Sequence, residues 1–181
     1  MAMSPIRKLK ADAQRFKADQ SLGSGFLSNL RLILVVDFWP VFWFRMMEYC
    51  LWGRPSRFKK IFKFFIVILR PIAEGFSGAR IMPGAQIGAG LLLHQSVGVV
   101  ICAEAVIGEN CTLFAGSCIV HRADGKGLGA PVISDNAFIA LGALIIGPVS
   151  IGNNAIVGAN SSVFSDVGDG VTVIGSPARP L

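Results

Sequence analysis

Aliphatic residues recur at every sixth position through the second half of the chain. One phase covers Ile133–Val163, an earlier phase covers Ile81–Val99, and a third phase, offset by two residues, covers Ile107–Ile119. A six-residue period fits neither an α-helix nor an alternating strand, and it is typical of a parallel β-helix. Three such hexads form one triangular coil, whose strands pair with those of the next coil. Residues 81–168 therefore predict a mainly β protein of about five coils.

The corners of these coils are predicted from the residues between the repeats. The position four residues after each repeated aliphatic residue is small or aliphatic, as at Ala85, Val97 and Ala143. Small side chains there let the backbone turn sharply, and neighbouring Gly, Asn and Asp residues favour turns with positive φ. A polar, glycine-rich segment at 121–131 interrupts the repeat after Ile119. We expect it to project as a loop, where functional residues often lie.

Helical patterns occupy the chain before the repeats. Residues 1–20 carry apolar side chains at helical spacing. A second helix is predicted over 26–52, which Pro40 could kink, and a third from a Ser56 cap to about residue 75. The aromatic residues of these helices fit a core or a subunit interface better than a cofactor site.

The two parts of the chain also differ in charge. Residues 1–78 form the predicted helical segment, and residues 79–181 form the predicted β-helix domain. Residues 1–80 hold 14 Lys and Arg against 5 Asp and Glu, whereas residues 81–181 hold 3 against 6. The basic segment fits either peripheral contact with an anionic membrane surface or a solvated helical face. No nucleic-acid-binding motif accompanies the charge, so we expect no nucleic-acid partner.

Neither a membrane-spanning helix nor a signal peptide is predicted. The apolar stretches 26–44 and 61–76 are short or interrupted by charge, compared with the roughly 20 apolar residues of a spanning helix. The four cysteines lack the spacing of a zinc site. We interpret them as free thiols that pack in the core of a protein in a reducing compartment. We therefore expect a cytoplasmic protein without a metal. These cysteines are Cys50, Cys102, Cys111 and Cys118.

Four segments of the repeat region resemble the hexapeptide-repeat acyltransferases, in particular serine acetyltransferases and their relatives from polysaccharide gene clusters. They are IGAGL at 87–91, VVI at 99–101, AVIGEN at 105–110 and GSPAR at 175–179. The match over 80–180 needs no gap and includes the length of the 121–131 loop. The resemblance implies a left-handed β-helix and a homotrimer that binds acetyl-CoA in a groove between subunits. It also implies a histidine base that deprotonates the acceptor hydroxyl.

The catalytic positions of this family are altered in the chain. In the ungapped match, the family's catalytic histidine falls on Gln95, and the aspartate before it falls on His94. The aspartate that orients the base falls on Arg80, and the loop's Arg-His pair falls on Gly129 and Ala130. Glutamine can hold a hydroxyl group but cannot accept its proton.

Two histidines are left as candidate bases beside Gln95. His94 is one position from the expected site, although neighbouring residues of a strand point to opposite faces unless a corner intervenes. His121 opens the projecting loop. The sequence alone does not decide between His94 and His121 as the base.

Cofactor-binding residues are predicted on the narrow corners and at the C-terminal end. Arg179 and Lys126 could meet a phosphate of CoA, and the coil edges at 139–143 and 157–161 resemble those that flank pantetheine in the family. The alternative is that the corner residues are only the small residues that coil corners require. The full set is Lys126, Leu141, Gly142, Ala159, Asn160, Ser176 and Arg179.

Two functions are consistent with this sequence. The first is an acetyl-CoA-dependent O-acetyltransferase whose acceptor is a sugar or glycan hydroxyl, since the loss of the loop arginine removes the expected partner of a serine carboxylate. Such an enzyme could work at the inner face of the membrane. The second is a trimeric scaffold or regulatory paralogue that has lost the base.

Overall fold

The computed structural model describes residues 3–21, 32, 35–51, 57–123 and 128–181, which form three helices and a parallel β-solenoid. The helices are α1 (Pro5–Asp19), α2 (Phe38–Leu51) and α3 (Arg57–Ser77). The strands are β1 (Arg80–Ile81), β2 (Gln86–Ile87), β3 (Leu92–His94), β4 (Val100–Ile101), β5 (Val106–Ile107), β6 (Thr112–Phe114), β7 (Cys118–Val120), β8 (Arg122–Ala123), β9 (Leu128–Gly129), β10 (Val132–Ile133), β11 (Phe138–Ile139), β12 (Leu144–Ile146), β13 (Ser150–Ile151), β14 (Ile156–Val157), β15 (Ser162–Val163), β16 (Thr172–Gly175) and β17 (Ala178–Pro180).

Three parallel sheets form the faces of the solenoid. The first sheet contains β1, β4, β7, β12 and β15, and the second contains β2, β5, β10 and β13. The third contains β3, β6, β11, β14 and β16, with β17 antiparallel at its edge. The four strands of the second sheet mark four complete turns, and β15, the bridge from Ile151 to Val167, and β16 add a shorter fifth turn.

The repeated aliphatic side chains fill the interior, as the six-residue period predicts. In the first sheet, Ile101 pairs with Ile81 on one side and with Ile119 on the other, and all three are buried. In the second sheet, Ile133 lies between Ile107 and Ile151 in the same way. Each inward side chain therefore packs on its equivalents one turn away.

The prediction is wrong at one corner. Val97, expected to be a corner residue, is 66% exposed. Val99, assigned to the repeat, takes that corner place instead, and Ile101 supplies the inward side chain of β4. The two additional residues therefore lie between Leu93 and Ile101 and not after Val99.

The helices are joined to the first turn through buried charge. Asp12 of α1 and Arg45 of α2 are almost fully buried and form an ion pair, with 2.8 Å between Nε and Oδ2. Asp12 also accepts hydrogen bonds from the N–H groups of Gly90 and Leu91, and Arg45 donates to the carbonyl of Ile87. Burial raises the pKa of Asp12, and Arg45 and the two N–H groups oppose that rise.

A second cation of α1 extends this contact to the next turn. Arg15 donates to the carbonyls of Gly90 and Cys111 and to the hydroxyl of Thr112. Phe16, also on α1, belongs to one hydrophobic core shared by the helices and the solenoid. The helices thus cover the N-terminal end of the solenoid.

The predicted second helix differs from the described one. The chain forms a turn at Val36–Asp37, and α2 begins only at Phe38. Pro40 therefore lies in the first helical turn, where its missing N–H costs no hydrogen bond, and does not kink a longer helix. Residues 26–31, 33–34 and 52 of the predicted helix, together with the proposed cap Ser56, lie outside the described residues.

The 121–131 segment leaves the solenoid between β7 and β10. Strands β8 and β9 pair as a short antiparallel hairpin, and residues 124–127, between them in the sequence, lie outside the described residues. Among the described helices, none combines the length and apolar character needed to cross a membrane.

Candidate active site

One edge of the solenoid carries most of the residues proposed for the site. It is the corner between the third and first sheets, and Gly98, Gly116 and Gly142 succeed one another there with φ between 68° and 77°. Asn160, with φ of 54°, continues the column. A Cβ atom at Gly142 would meet the carboxamide oxygen of Asn160, which would have to move, and the positive φ of Gly142 disfavours other residues. We call this column the glycine edge.

His94 lies at the N-terminal end of the glycine edge, where β3 ends. Its Nε2 is 2.9 Å from Oδ1 of Asp19, the last residue of α1, and its side chain is 31% exposed. The ring stacks on Phe114 of the next turn, with 4.8 Å between centroids and 13° between planes. The carboxylate and the stacked ring fix both the direction and the plane of the imidazole. When Nε2 carries the proton toward Asp19, Nδ1 is the nitrogen with a free lone pair.

Gln95 directly follows His94 and forms the corner itself. Its φ is 51°, in the left-handed region, and its side chain is exposed. The bend takes the backbone out of strand geometry at this point. The rule that strand neighbours point to opposite faces therefore does not govern how the two side chains are placed.

His121 lies on a different corner, between the first and second sheets. It follows β7, is 41% exposed, and has Nδ1 3.6 Å from Oε2 of Glu104. This separation exceeds a hydrogen bond. Within one chain, the structure places His94 and Gln95 together on the glycine edge and His121 apart from them.

Four of the predicted cofactor residues lie on the glycine edge. Leu141 and Gly142 cross it on the turn from β11 to β12, and Ala159 and Asn160 cross it on the turn from β14 to β15. The Leu141 side chain is 47% exposed. The N–H groups of Gly142 and Asn160 donate to the carbonyls of Ala115 and Leu141, so the solenoid itself uses them.

The remaining cofactor candidates are dispersed. Ser176 follows β16 of the third sheet, which places it at the C-terminal end of the glycine edge, where Gly175 donates to the Ser161 hydroxyl. Arg179 lies on β17 opposite Ile174, and its side chain is exposed. Lys126 lies outside the described residues.

Asp19 is the candidate site residue that the sequence missed. The ungapped match put the orienting carboxylate on Arg80, but Arg80 instead lies with Nε 3.4 Å from Oε2 of Glu74. The carboxylate beside His94 comes from α1, 75 positions earlier in the chain. No spacing rule connects these positions, since the contact depends on how the helix docks.

Gly129 shows why the loop lacks the family's arginine. A Cβ atom at this position would lie 2.7 Å from Pro148 Cβ, which is closer than side chains approach each other. Only glycine fits here while Pro148 keeps its place. The absence of a cation at 129 is therefore built into the packing of the loop.

A parallel solenoid of six-residue repeats is the architecture that the resemblance to the hexapeptide-repeat acyltransferases implies. Over 153 residues the chain is 34% identical to the serine acetyltransferase of Bacillus licheniformis, which covers 84% of this chain and 68% of that protein. It is 37% identical over 122 residues to the Bacillus subtilis enzyme, covering 67% of this chain and 56% of that one. No protein-family model matches the chain.

A solved structure agrees with these relatives. Serine acetyltransferase of Neisseria gonorrhoeae superposes with a TM-score of 0.79 at 28% identity, covering 98% of this chain and 64% of that one. The chain belongs to the serine acetyltransferase family. It spans between about half and seven-tenths of the length of the curated relatives that it matches.

Proposed function

We propose that the protein is an acetyl-CoA-dependent O-acetyltransferase with His94 as its general base. The observation that carries this proposal is the His94–Asp19 pair, 2.9 Å apart, at one end of the glycine edge. Membership of the serine acetyltransferase family supports the reaction class. The predicted cofactor residues on the same edge support a bound acetyl-CoA beside this imidazole.

The reaction transfers the acetyl group of acetyl-CoA to a hydroxyl group. Asp19 holds the Nε2–H tautomer, so Nδ1 of His94 takes the proton of the acceptor hydroxyl as its oxygen attacks the thioester carbonyl. The carbon–sulfur bond breaks, and His94 returns the proton to the departing thiolate of CoA. Gln95 can donate to or accept from the same hydroxyl and so hold it in place. Protons and charge therefore balance over the cycle.

We propose a sugar or glycan hydroxyl as the acceptor in preference to serine. The resemblance to the family implies that an arginine of the loop recognises the carboxylate of serine. In this chain Gly129 occupies the position of that arginine, and Pro148 leaves no room for a side chain there. An uncharged sugar can bind without that arginine, because it has no carboxylate to be neutralised. Acetyl transfer to free hexoses and to serine, measured by release of the CoA thiol, should favour the hexoses. A higher kcat/KM for serine would contradict this acceptor class.

The test of the base compares the two histidines. His94→Ala should lower kcat by about 100- to 10,000-fold, the usual contribution of a positioned base. The loss from His121→Ala should be smaller. Equal losses, or a larger loss from His121→Ala, would reject His94 as the base.

A non-catalytic trimeric scaffold is the second candidate, favoured by glutamine at the position of the family's histidine. Isothermal titration with acetyl-CoA separates the two functions. Binding accompanied by turnover supports the enzyme. No heat at millimolar acetyl-CoA supports the scaffold.

We further propose a homotrimer joined through the outer face of the third sheet. Phe138 and Ile156 are neighbours on this face and are 37% and 41% exposed, and the Phe114 ring packs against Phe138 with 5.0 Å between centroids. Apolar side chains of this size fit a subunit interface. Light scattering on the purified protein should give three chains, and a monomer would contradict the assembly.

We also propose that α3 docks on the cytoplasmic face of an anionic membrane. Its exposed apolar side chains include Phe64 and Phe65, and Lys59 and Lys63 precede them. A further apolar groove of about 330 Å³ lies between α2 and α3, lined in part by Trp43 and Phe76. Aromatic and cationic residues together are typical of helices that lie in a membrane interface.

Vesicle sedimentation tests this contact. The protein should bind phosphatidylglycerol vesicles more strongly than phosphatidylcholine vesicles, and Phe64→Glu should abolish the binding. Phe164→Glu, which adds the same charge at an exposed aromatic residue of the solenoid, should leave it intact. Should Phe64→Glu instead change the number of chains per particle, the α3 surface joins copies of the chain and the membrane contact is rejected.

A further inference from the structure

Three metal-ligating side chains meet at the corner where the 121–131 loop leaves the solenoid. They are the thiol of Cys102, the carboxylate of Glu104 and the imidazole of His121, and their ligand atoms all lie within 4.8 Å of one another. In the described part of the chain, this is the one group of three such side chains at this spacing. We call it the corner triad.

The corner triad is assembled by the stacking of two turns. Cys102 and Glu104 follow β4, and His121 follows β7, the next strand of the first sheet. The Cys102 N–H donates to the Ile119 carbonyl at 2.9 Å, which fixes the register of the two corners. The ligands are two and 17 positions apart in the sequence, so no zinc-binding spacing revealed them.

We propose that the corner triad binds a divalent transition metal, with Zn²⁺ as the natural occupant. A thiolate and an imidazole are the ligands that Zn²⁺ prefers, whereas Mg²⁺ and Ca²⁺ require oxygen ligands. The thiolate and the carboxylate together balance the charge of the ion. Three protein ligands leave a fourth tetrahedral position open to water or another ligand.

The His121 and Glu104 ligand atoms already have the spacing for such an ion. At Zn–N and Zn–O distances of about 2.0–2.2 Å, tetrahedral ligands lie about 3.3–3.6 Å apart. Nδ1 of His121 and Oε2 of Glu104 are 3.6 Å apart, which suits a shared ion better than a direct hydrogen bond. The Cys102 side chain is buried at the base of the corner, while Glu104 and His121 are 47% and 41% exposed. An ion can therefore enter from solvent, and the two exposed side chains can close on it by rotation.

The bound ion would link consecutive turns at the base of the loop. His121 is the residue from which β8 leaves, so its ligation holds the start of the hairpin against the β4–β5 corner. It also commits the His121 imidazole to a role other than that of the base. The metal site stands independently of the acetyltransferase proposal, since binding is measured without substrate.

Cobalt binding to the purified, metal-free, full-length protein tests the proposal. Co²⁺ should give a thiolate-to-cobalt charge-transfer band at one ion per chain, and Zn²⁺ should displace it. Cys102→Ser should abolish the band. Cys118→Ser, which removes a cysteine from the adjacent strand β7, and His94→Ala, which removes the other histidine, should leave it unchanged.

Two substitutions of exposed ligands serve as controls, because substitution of the buried Cys102 could itself unfold the protein. Glu104→Gln and His121→Asn should each weaken Zn²⁺ binding by at least about tenfold while the melting temperature of the metal-free protein stays the same. The absence of a cobalt band in the wild type overturns the proposal. A band that survives in folded Cys102→Ser, or affinity unchanged in both exposed-ligand variants, overturns it as well.

Discussion

In the solenoid, each buried residue of the repeat packs on an apolar side chain one turn away, whereas the helices add buried charged side chains to their apolar contact with the solenoid. Ile133 between Ile107 and Ile151 represents the first arrangement, and the pair Asp12–Arg45 represents the second. An apolar contact tolerates many partners, but a buried ion is satisfied by few geometries. The helical layer is therefore the more specifically docked part of the molecule, and also the part that a single change can most easily detach.

The largest expected effect is in the helical layer. Arg45→Met should lower the free energy of unfolding by about 3–5 kcal/mol, because it leaves the Asp12 carboxylate buried without its cation. Burial raises the pKa of Asp12, so the folded chain binds this proton more tightly than the unfolded chain. The variant should consequently lose stability as pH rises from acid toward neutral. Urea unfolding at several pH values measures both effects.

The double variant Asp12→Leu with Arg45→Met is the matched control. It removes both charges, so it should be more stable than Arg45→Met alone. If the second substitution lowers stability further, the buried pair does not account for the docking of the helices.

Substitutions in the solenoid should lower the free energy of unfolding less, and only at positions whose side chains face its interior. Ile133→Ala should cost about 2–5 kcal/mol, since it leaves a cavity between two turns. Val132→Ala, one position earlier on β10 and 46% exposed, should cost less than about 1 kcal/mol. Thermal unfolding of both variants measures the difference, and equal losses would disprove the assigned inward face.

A substitution on the glycine edge should have a smaller effect on stability, confined to one corner of the solenoid. Gly142→Ala places a side chain at φ of 68° and against Asn160, and should cost about 1–3 kcal/mol. Gly170 has the same φ but open space around it, so Gly170→Ala isolates the backbone cost. The difference between their denaturation midpoints measures the clash alone. No difference would mean that Asn160 moves aside freely.

The smallest expected effect concerns an exposed carboxylate near the C-terminal end of the solenoid. Asp166 accepts a 2.7 Å hydrogen bond from the Ser150 N–H, and that bond holds the pKa of Asp166 below its ordinary value. A lowered folded-state pKa stabilises the fold above the unfolded-state pKa, and that contribution disappears as pH falls through the folded-state pKa. Asp166→Asn should therefore melt slightly lower than wild type at neutral pH, and the two should converge in acid. A difference that persists in acid would assign the effect to something other than this charge.

The same contrast explains what could be predicted from sequence. The repeat positions around Ile133 follow from local periodicity, because each hexad repeats one backbone geometry. The error at Val99 arose because Val99 and Ile101 are both aliphatic and buried, so hydrophobicity alone does not locate a two-residue insertion. Nothing in the sequence around Asp12 indicates that its side chain is buried, since its surroundings form only when α1 packs against α2 and the solenoid.

The candidate site shows a similar division. Gln95 was assigned from the ungapped match to the family, and Gly142 and Asn160 were assigned because their coils resemble those that flank pantetheine in the family; all three stay predictions. Asp19 beside His94 was missed, because a helix from outside the repeat supplies it. Cys102 and His121 likewise come together only across turns, where spacing in the sequence carries no information about distance.

The antiparallel strand β17 has a consequence for how the protein behaves at high concentration. A stack of parallel strands ends in unpaired backbone groups that invite another chain to continue the sheet. In the third sheet β17 folds back over β16, and Pro177 and Pro180 contribute no N–H groups at this end. The helices cover the opposite end of the solenoid. On this face, β17 occupies the edge of β16 on which a parallel strand of another chain would otherwise add.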